Sequence, residues 1–500
     1  MTISLAVLIA GEQHVDHPKT LRSIHRARPD QIKECCWPND SESVRKTIET
    51  INADIITVVR SGDTVTSESF DLLRQAIALG ADFVYTDEEY TTHEGWRQPW
   101  IKPDWSPSRM LTQAYTGRLW ATRTEMVASA LSGPPVSEWE LAIVLRTAAR
   151  SKSHVHIPII TYLSANEDGS SLFRSTPEGI TTATLLFTEY ARNLGAEVDI
   201  FWDGDSKRHR LKPNIDNHPL VSIVIPSAGK ERSDGNNKGA LVVNAVRSVL
   251  EKSTYKNIEI IITLDSHSPA TARSELHALG AGDQVHISDY SKPFNFSAKI
   301  NTGVSIARGS HLLILNDDTE VDSPDWIESL LAIESMPDVG AAGATLRYPT
   351  GALQHAGVMA VDGSVGHPYI GYPGNSEGYH KRLVHSADVI ATTGACMLVN
   401  RSNFNIVGGF SEEFPINYND VDFCFKLRSQ GLRSVVTPEA RLWHDESSTR
   451  TPGEVSDQEQ ELLRSRWGKN LQNDPYYSNL FWPSAEYLTL IGGGEFDPRS

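Results

Sequence analysis

Apolar and polar positions follow two periods along this chain. From residue 220 onward, short apolar runs at 221–225, 258–264, 285–287 and 312–315 are separated by stretches at 241–250, 270–279 and 296–307 whose apolar residues recur at helical spacing. Continuous apolar runs of this length read as strands buried on both faces, and the stretches between them as amphipathic helices. Their alternation predicts an α/β domain with a mostly parallel, Rossmann-like central sheet and right-handed crossovers. The first 200 residues echo the same order: strand 3–9, helix 20–26, strand 31–36, helix 41–50, strand 54–59. Between the halves, residues 206–219 are polar, charged and interrupted by Pro213 and Pro219, which predicts a linker. The expected organisation is a smaller domain 1–205, a linker 206–219, a domain 220–482 and a tail 483–500.

Length agrees, since 500 residues exceed what one hydrophobic core sustains. With 63 acidic against 46 basic residues and no long basic run, nucleic acid is excluded as the expected partner. No apolar stretch is long enough to span a bilayer, so any membrane contact is expected to be peripheral, through a local basic patch. Residues 3–9 lack the flanks of a signal peptide and read as a strand. The four cysteines, at 35, 36, 396 and 424, form neither a zinc spacing nor a disulfide framework, which predicts a reduced, cytoplasmic protein.

Chemistry concentrates where the run 312–315 stops at Asn316-Asp317-Asp318. The carboxyl end of a parallel strand is where open α/β sheets bind ligands, and adjacent carboxylates there attract a divalent cation able to bridge to phosphate. Asp265 ends another strand and reads equally well as a contact to a base or ribose or as a cap of the next turn. Farther on, Val421, Cys424, Phe425 and Arg428 have helical spacing, with Asn419 placed to cap the start, Gly431 just past the end and Asp420 in the first turn, where the helix dipole favours the carboxylate that a general base requires. His444 follows a short predicted strand, and imidazole is a common ligand of divalent transition metals.

In order along the chain, Val221-Ser-Ile-Val-Ile-Pro226, Phe294-Asn-Phe-Ser297, Leu315-Asn-Asp-Asp-Thr-Glu-Val321, Gln354-His-Ala-Gly357, Gly394-Ala-Cys396, Val407-Gly-Gly-Phe410, Asn419-Asp-Val-Asp-Phe-Cys424, Trp443-His-Asp-Glu-Ser447 and Asp474-Pro-Tyr-Tyr477 resemble blocks of the family-two, GT-A fold glycosyltransferases, in particular the tandem-domain bacterial polysaccharide type of O-antigen and rhamnan synthesis. The resemblance implies an inverting transferase that moves a sugar from a nucleotide-sugar donor to a glycan, lipid-linked or protein acceptor with Mn²⁺ or Mg²⁺. It implies Asp318 and His444 as metal ligands, with Asn316 in place of the first acid of the DxD motif. Pro226, Ser227, Asp265, Asn316 and Asp317 would hold the nucleotide, and Asp420 would be the base. Gln354, His355, Gly394, Ala395, Cys396 and Asp422 would border the acceptor, with Asp420 and Asp422 supplying negative charge to an oxocarbenium-like transition state.

The N-terminal half resembles a degenerate copy of the same module. Arg60 and Gly62 stand at the positions of the metal-binding acids and leave only Asp63; Glu138-Trp-Glu140 replaces the aspartates of the base helix, and Leu163 and Ser164 replace the late histidine. Its first strand reaches the acidic strand end in 60 residues, against 98 in the second half, which predicts a missing helix and strand. Acceptor binding, scaffolding or homo-oligomer formation are its expected uses, and Arg60 offers a place for an anion. Trp326, Trp443 and Trp467 are expected in packing roles, Trp100 and Trp105 on a binding surface, residues 459–467 in a docked helix and 476–481 in an extended tail. Two other classes compete with transfer of a sugar. A nucleotidyltransferase would share the metal and diphosphate but needs a Gly-rich basic loop that Ser227-Ala-Gly-Lys-Glu-Arg232 barely imitates. A non-catalytic carbohydrate-binding or assembly protein would have no use for Asp318, Asp420 and His444 together.

Overall fold

The computed structural model describes residues 3–11, 14–35, 41–92, 94–165, 172–215, 217–231, 239–279, 284–361, 363–445 and 456–478. Arg232, Glu446, Ser447, residues 479–481 and the predicted tail 483–500 lie outside the described residues. The chain divides into two compact units, residues 1–194 with 200–211 and residues 195–199 with 212–500. The division falls in a β-hairpin, Val198–Asp203 paired with Arg208–Pro213, so much of the stretch read as linker is a strand. The reason is local. Buried Val198, Ile200, His209 and Leu211 alternate with more exposed residues at the period of two that a half-buried strand requires.

In the C-terminal unit the strands run, side by side, Val285–Tyr290, Ile258–Asp265, Val221–Ser227, His311–Leu315, Cys396–Asn400, Val339–Arg347, Arg433–His444 and Thr319–Val321. The first four are parallel neighbours, as the alternating pattern predicts. Cys396–Asn400 then runs antiparallel to His311–Leu315. Every residue of Val221–Ser227 is buried, and helix Phe296–Ile306 lies so close above it that a Cβ on Gly303 would stand 2.5 Å from Val224. Only glycine permits that approach. The main core gathers Val224, Ile300, Leu312, Ile314, Met397, Phe423 and Phe425, all fully buried. At the carboxyl ends of the parallel strands stand Ser227, Asp265 and the Asn316–Asp318 segment, the position at which such sheets bind ligands.

The N-terminal unit has the same strand order without the outermost strand: Gln31–Cys35, Leu5–Ala10, Ile55–Arg60, Trp120–Arg123, Phe83–Thr91, His154–Ser164 and Thr64–Val65. Before its acidic strand end it has two helices and three strands where the other unit has three helices and four. The missing helix and strand account for the shorter spacing. Among the tryptophans, Trp326 is fully buried as expected, but so is Trp100, and Trp105 stacks on His154 with ring centroids 3.8 Å apart. Neither forms an open binding surface.

Candidate active site

Asn316–Asp318 bridges the end of one strand and the start of Thr319–Val321, whose first residue pairs with His444. That pairing brings Asp318 Oδ1 to 3.0 Å from His444 Nε2. His444 Nδ1 lies 2.7 Å from Gln354 Oε1, which can only accept, so the ring proton sits on Nδ1 and Nε2 is an acceptor, with the Asn316 amide Nδ2 donating to it at 3.2 Å. Asn316 Oδ1 and Asp318 Oδ1 are buried without a hydrogen-bond partner among the described residues. Two acceptors facing each other at about 3 Å match neighbouring ligands of an octahedral cation with bonds of about 2.1 Å, and carboxylate oxygen with imidazole nitrogen suits Mn²⁺. Among the described residues no three His, Cys, Asp or Glu side chains gather for a metal. The residues present therefore fit part of a shell, and a cation held there would need water or other oxygens for the rest.

The other acid of the motif turns elsewhere. Asp317 Oδ2 accepts the Ser227 hydroxyl at 2.5 Å, while Ser227 Oγ accepts the Gly229 N–H at 2.9 Å. Desolvation and then the Asp318 charge raise the Asp317 carboxyl above the ordinary carboxylate range. Pro226 is buried inside its strand, so of the predicted pair only Ser227 reaches the loop. Asp265 is one-third exposed and held at 2.6 Å by Lys299 Nζ, which also donates to Ser227 O at 2.8 Å. Lys299 is fully buried and was not singled out from the sequence. Its signal was a lysine three positions after Phe296, on the apolar face of a predicted helix.

Across a cleft of about 270 Å³ lies Asp420. Its helix, Asn419–Ser429, begins not at an Asn419 cap but after Tyr418 in the left-handed region at φ 59°, while the Asn419 amide turns back to Ile416 O. Left-handed backbone at a bulky residue is strain of the kind that collects at functional sites. Gly431, at φ 79°, follows the helix end as expected. Asp420 Oδ2 accepts the Gly394 N–H at 2.9 Å and Oδ1 the Val421 N–H at 2.8 Å. The same cleft is lined by Asn316, Asp318 and His444, by Gly394 and Ala395, and by His367. A second cavity of about 290 Å³, with Asn244, Glu320 and Trp443 in its wall, also borders Asp318 and His444.

Four of the expected acceptor residues do not reach the cleft as direct contacts. Asp422 is fully buried: Ser411 Oγ donates to it at 2.5 Å, Trp467 Nε1 at 2.8 Å and Arg466 Nη1 at 3.0 Å. One residue separates it from the cleft-facing Asp420, and on a helix that rotates the side chain to another face. Its charge is compensated there by Arg466 and, at 3.8 Å, by Lys426. Cys396 is fully buried in the sheet, which drives its thiol well above the ordinary range. Gln354 is buried and orients His444, and His355 is buried behind the cleft, 2.9 Å from His367.

The N-terminal unit fills the corresponding positions differently. Thr64 pairs with Leu163 as Thr319 pairs with His444, so an apolar side chain occupies the histidine position. Asp63 Oδ2 accepts from Tyr162 Oη at 2.6 Å and Oδ1 from the Ala165 N–H at 2.8 Å. Glu140, second in helix Trp139–Arg150 as Asp420 is second in its own, is paired with Arg60 at 2.8 Å and 3.0 Å.

Residues 222–395 match the family model described as glycosyl transferase family 2. The chain is 28% identical over 457 residues to the uncharacterized protein y4gI of Sinorhizobium fredii, covering 88% of this chain and 49% of that protein. It is 28% identical over 475 residues to the O-antigen biosynthesis protein RfbC of Myxococcus xanthus, covering 90% and 36%. A shorter match of 148 residues, 31% identical, covers 27% of this chain and 46% of an N-acetylglucosaminyl-diphospho-decaprenol L-rhamnosyltransferase of Mycobacterium tuberculosis. The chain thus spans half or less of the length of these relatives. No helix among the described residues is long and apolar enough to cross a membrane. With the parallel sheet, the acidic strand end and the matched segment in one unit, the C-terminal half of this α/β chain carries a glycosyl transferase family 2 domain.

Proposed function

We propose that the C-terminal unit is an inverting glycosyltransferase that moves a sugar from a nucleotide-sugar donor to a hydroxyl of a glycan, lipid-linked or protein acceptor. The observation that carries this reading is that Asp318 and His444 share one cleft with Asp420. Asp318 and His444, with Asn316, are the residues that would hold a divalent cation, which when bound would neutralise the diphosphate leaving group. Ser227, Asp317 and Asp265 line the strand ends where the nucleotide would lie, and Lys299 fixes Asp265 beneath it. Asp420, oriented by the Gly394 and Val421 N–H groups, takes the proton from the incoming hydroxyl. Attack opposite the diphosphate inverts the anomeric carbon. The relatives named for O-antigen biosynthesis and rhamnosyl transfer favour a surface-polysaccharide acceptor.

The N-terminal unit is read as non-catalytic, because its base position is neutralised by Arg60 and its metal position has lost the histidine. The test is nucleoside-diphosphate release from a panel of nucleotide sugars with Mn²⁺ or Mg²⁺, in the intact chain and in Asp318→Ala. Release with one donor, lost in the variant, supports the reading. Pyrophosphate as product would point to nucleotidyl transfer, and no release or donor binding with any metal would point to a binding protein.

A further inference from the structure

We infer that His367 is an acceptor-contacting residue, a hydrogen-bond donor to a sugar hydroxyl oxygen, and that buried His355 is the positioning residue that fixes it in that role. This rests on the glycosyltransferase reading above and specifies its acceptor side.

The argument starts at His355 Nε2. The Gly357 and Thr393 N–H groups both donate to it at 3.3 Å, and Thr392 Oγ1 lies 3.2 Å away. A nitrogen that accepts two backbone N–H groups carries no proton, so the His355 proton is on Nδ1. His355 Nδ1 in turn lies 2.9 Å from His367 Nδ1. That contact is a hydrogen bond only if His367 Nδ1 is the acceptor, which puts the His367 proton on Nε2. The chain of donors is therefore directional, from the Gly357 and Thr393 backbone through His355 to His367. A second proton on either ring would set N–H against N–H. Burial holds His355 neutral. His367 itself follows the strand Ser364–Gly366 and lines the cleft that holds Asp420.

The two functional groups then differ in kind. Asp420 offers acceptor oxygens that take a proton, while His367 offers a single fixed N–H with nothing to abstract. An acceptor hydroxyl needs both, one group for its hydrogen and one for an oxygen lone pair on the same sugar. Gln354 and His355 are adjacent in sequence and project to opposite sides of their strand, so the same short strand, Leu353–His355, orients His444 on one side and His367 on the other.

The test uses the full chain with Mn²⁺, the nucleotide sugar it hydrolyses and a panel of methyl glycosides as acceptor probes. Transfer to the glycoside and hydrolysis of the donor by water are measured together. His367→Ala and His367→Phe are expected to lower transfer at least tenfold more than hydrolysis, through a raised KM for the glycoside. His367→Gln, whose amide N–H falls near the imidazole Nε2, is expected to recover most of the loss. Equal falls in both reactions, rescue by Phe in place of Gln, or hydrolysis by the wild type without transfer to any glycoside would overturn the inference. A wild type that releases no nucleoside diphosphate would overturn the glycosyltransferase reading itself. Independently, ¹⁵N spectra of imidazole-labelled protein are expected to show His355 protonated at Nδ1 and His367 at Nε2, and the reverse pair would contradict the relay.

Discussion

Asp420 and Asp422 stand two residues apart in one motif, and their structural settings assign them opposite phenotypes. The perturbation is the same for each, aspartate to asparagine. At Asp422 it removes a fully buried charge that receives Ser411 Oγ, Trp467 Nε1 and Arg466 Nη1 and lies 3.8 Å from Lys426. An amide keeps one acceptor and turns an NH₂ toward the remaining donors, leaving Arg466 with Glu413 but without its buried carboxylate partner. Loss of the charge from these buried hydrogen bonds costs about 1.5–3 kcal/mol. For a unit of this size, each kcal/mol moves the midpoint by roughly 2–4 °C, so a fall of roughly 3–12 °C is expected in the C-terminal transition. At Asp420 the amide oxygen can still accept the Gly394 N–H, and stability should change little. Removal of a general base, however, lowers transfer by about 10²–10⁴-fold. Calorimetry of the intact chain separates the two effects when read beside nucleoside-diphosphate release at a temperature where every variant is folded. An Asp422→Asn protein that melts like the wild type but cannot transfer would refute this assignment, as would an Asp420→Asn protein with full activity.

Three further outcomes are expected. Gln354→Leu leaves His444 without its orienting acceptor and should raise the Mn²⁺ concentration for half-maximal release by about 10–100-fold; an unchanged metal titration would show that Gln354 orients nothing of consequence. In the N-terminal unit, Arg60→Leu strands the buried Glu140 and should cost about 3–5 kcal/mol, whereas Arg60→Met with Glu140→Leu should recover most of it; thermal melts in which the double variant is the worse of the two would contradict an internal ion pair. Burial beside Phe173, Phe187 and Trp202 lowers His209 to about 4, so its neutral form stabilises the fold fully above pH 6.5 and that contribution is lost as pH falls toward 4, by about 3 kcal/mol at the limit. His209→Phe should flatten the pH dependence of the melting temperature across that window, and an unaltered slope would exclude His209 as its source.

The strands and helices flanking the site were legible because each apolar run is buried on both faces, as at residues 221–225 and 312–315, and because the helices between them repeat at 3.6 residues. The hairpin 198–213 was not, since Pro213 and many charges hid an alternation only two residues deep. Residues of the candidate cleft stood out in the sequence where acids cluster unusually, as at Asn316–Asp318 and Asp420. What a one-dimensional reading could not supply was direction. Gln354, His355, Asp422 and Cys396 belong to the right segments, but side chains on a strand or a helix turn face different surroundings from one position to the next. Lys299 and His367 were missed for the same reason, because their partners Asp265, Ser227 and His355 are distant in sequence or across a loop.

The most direct test of an inverting transfer at this cleft is the configuration of the first product. The measurement is ¹H NMR of the anomeric proton during donor turnover by the intact chain with Mn²⁺, read before the free sugar mutarotates. The account predicts that the configuration opposite to the donor's appears first and that Asp420→Asn slows its appearance. Initial release with the donor's own configuration would contradict a single displacement and, with it, the role assigned to Asp420.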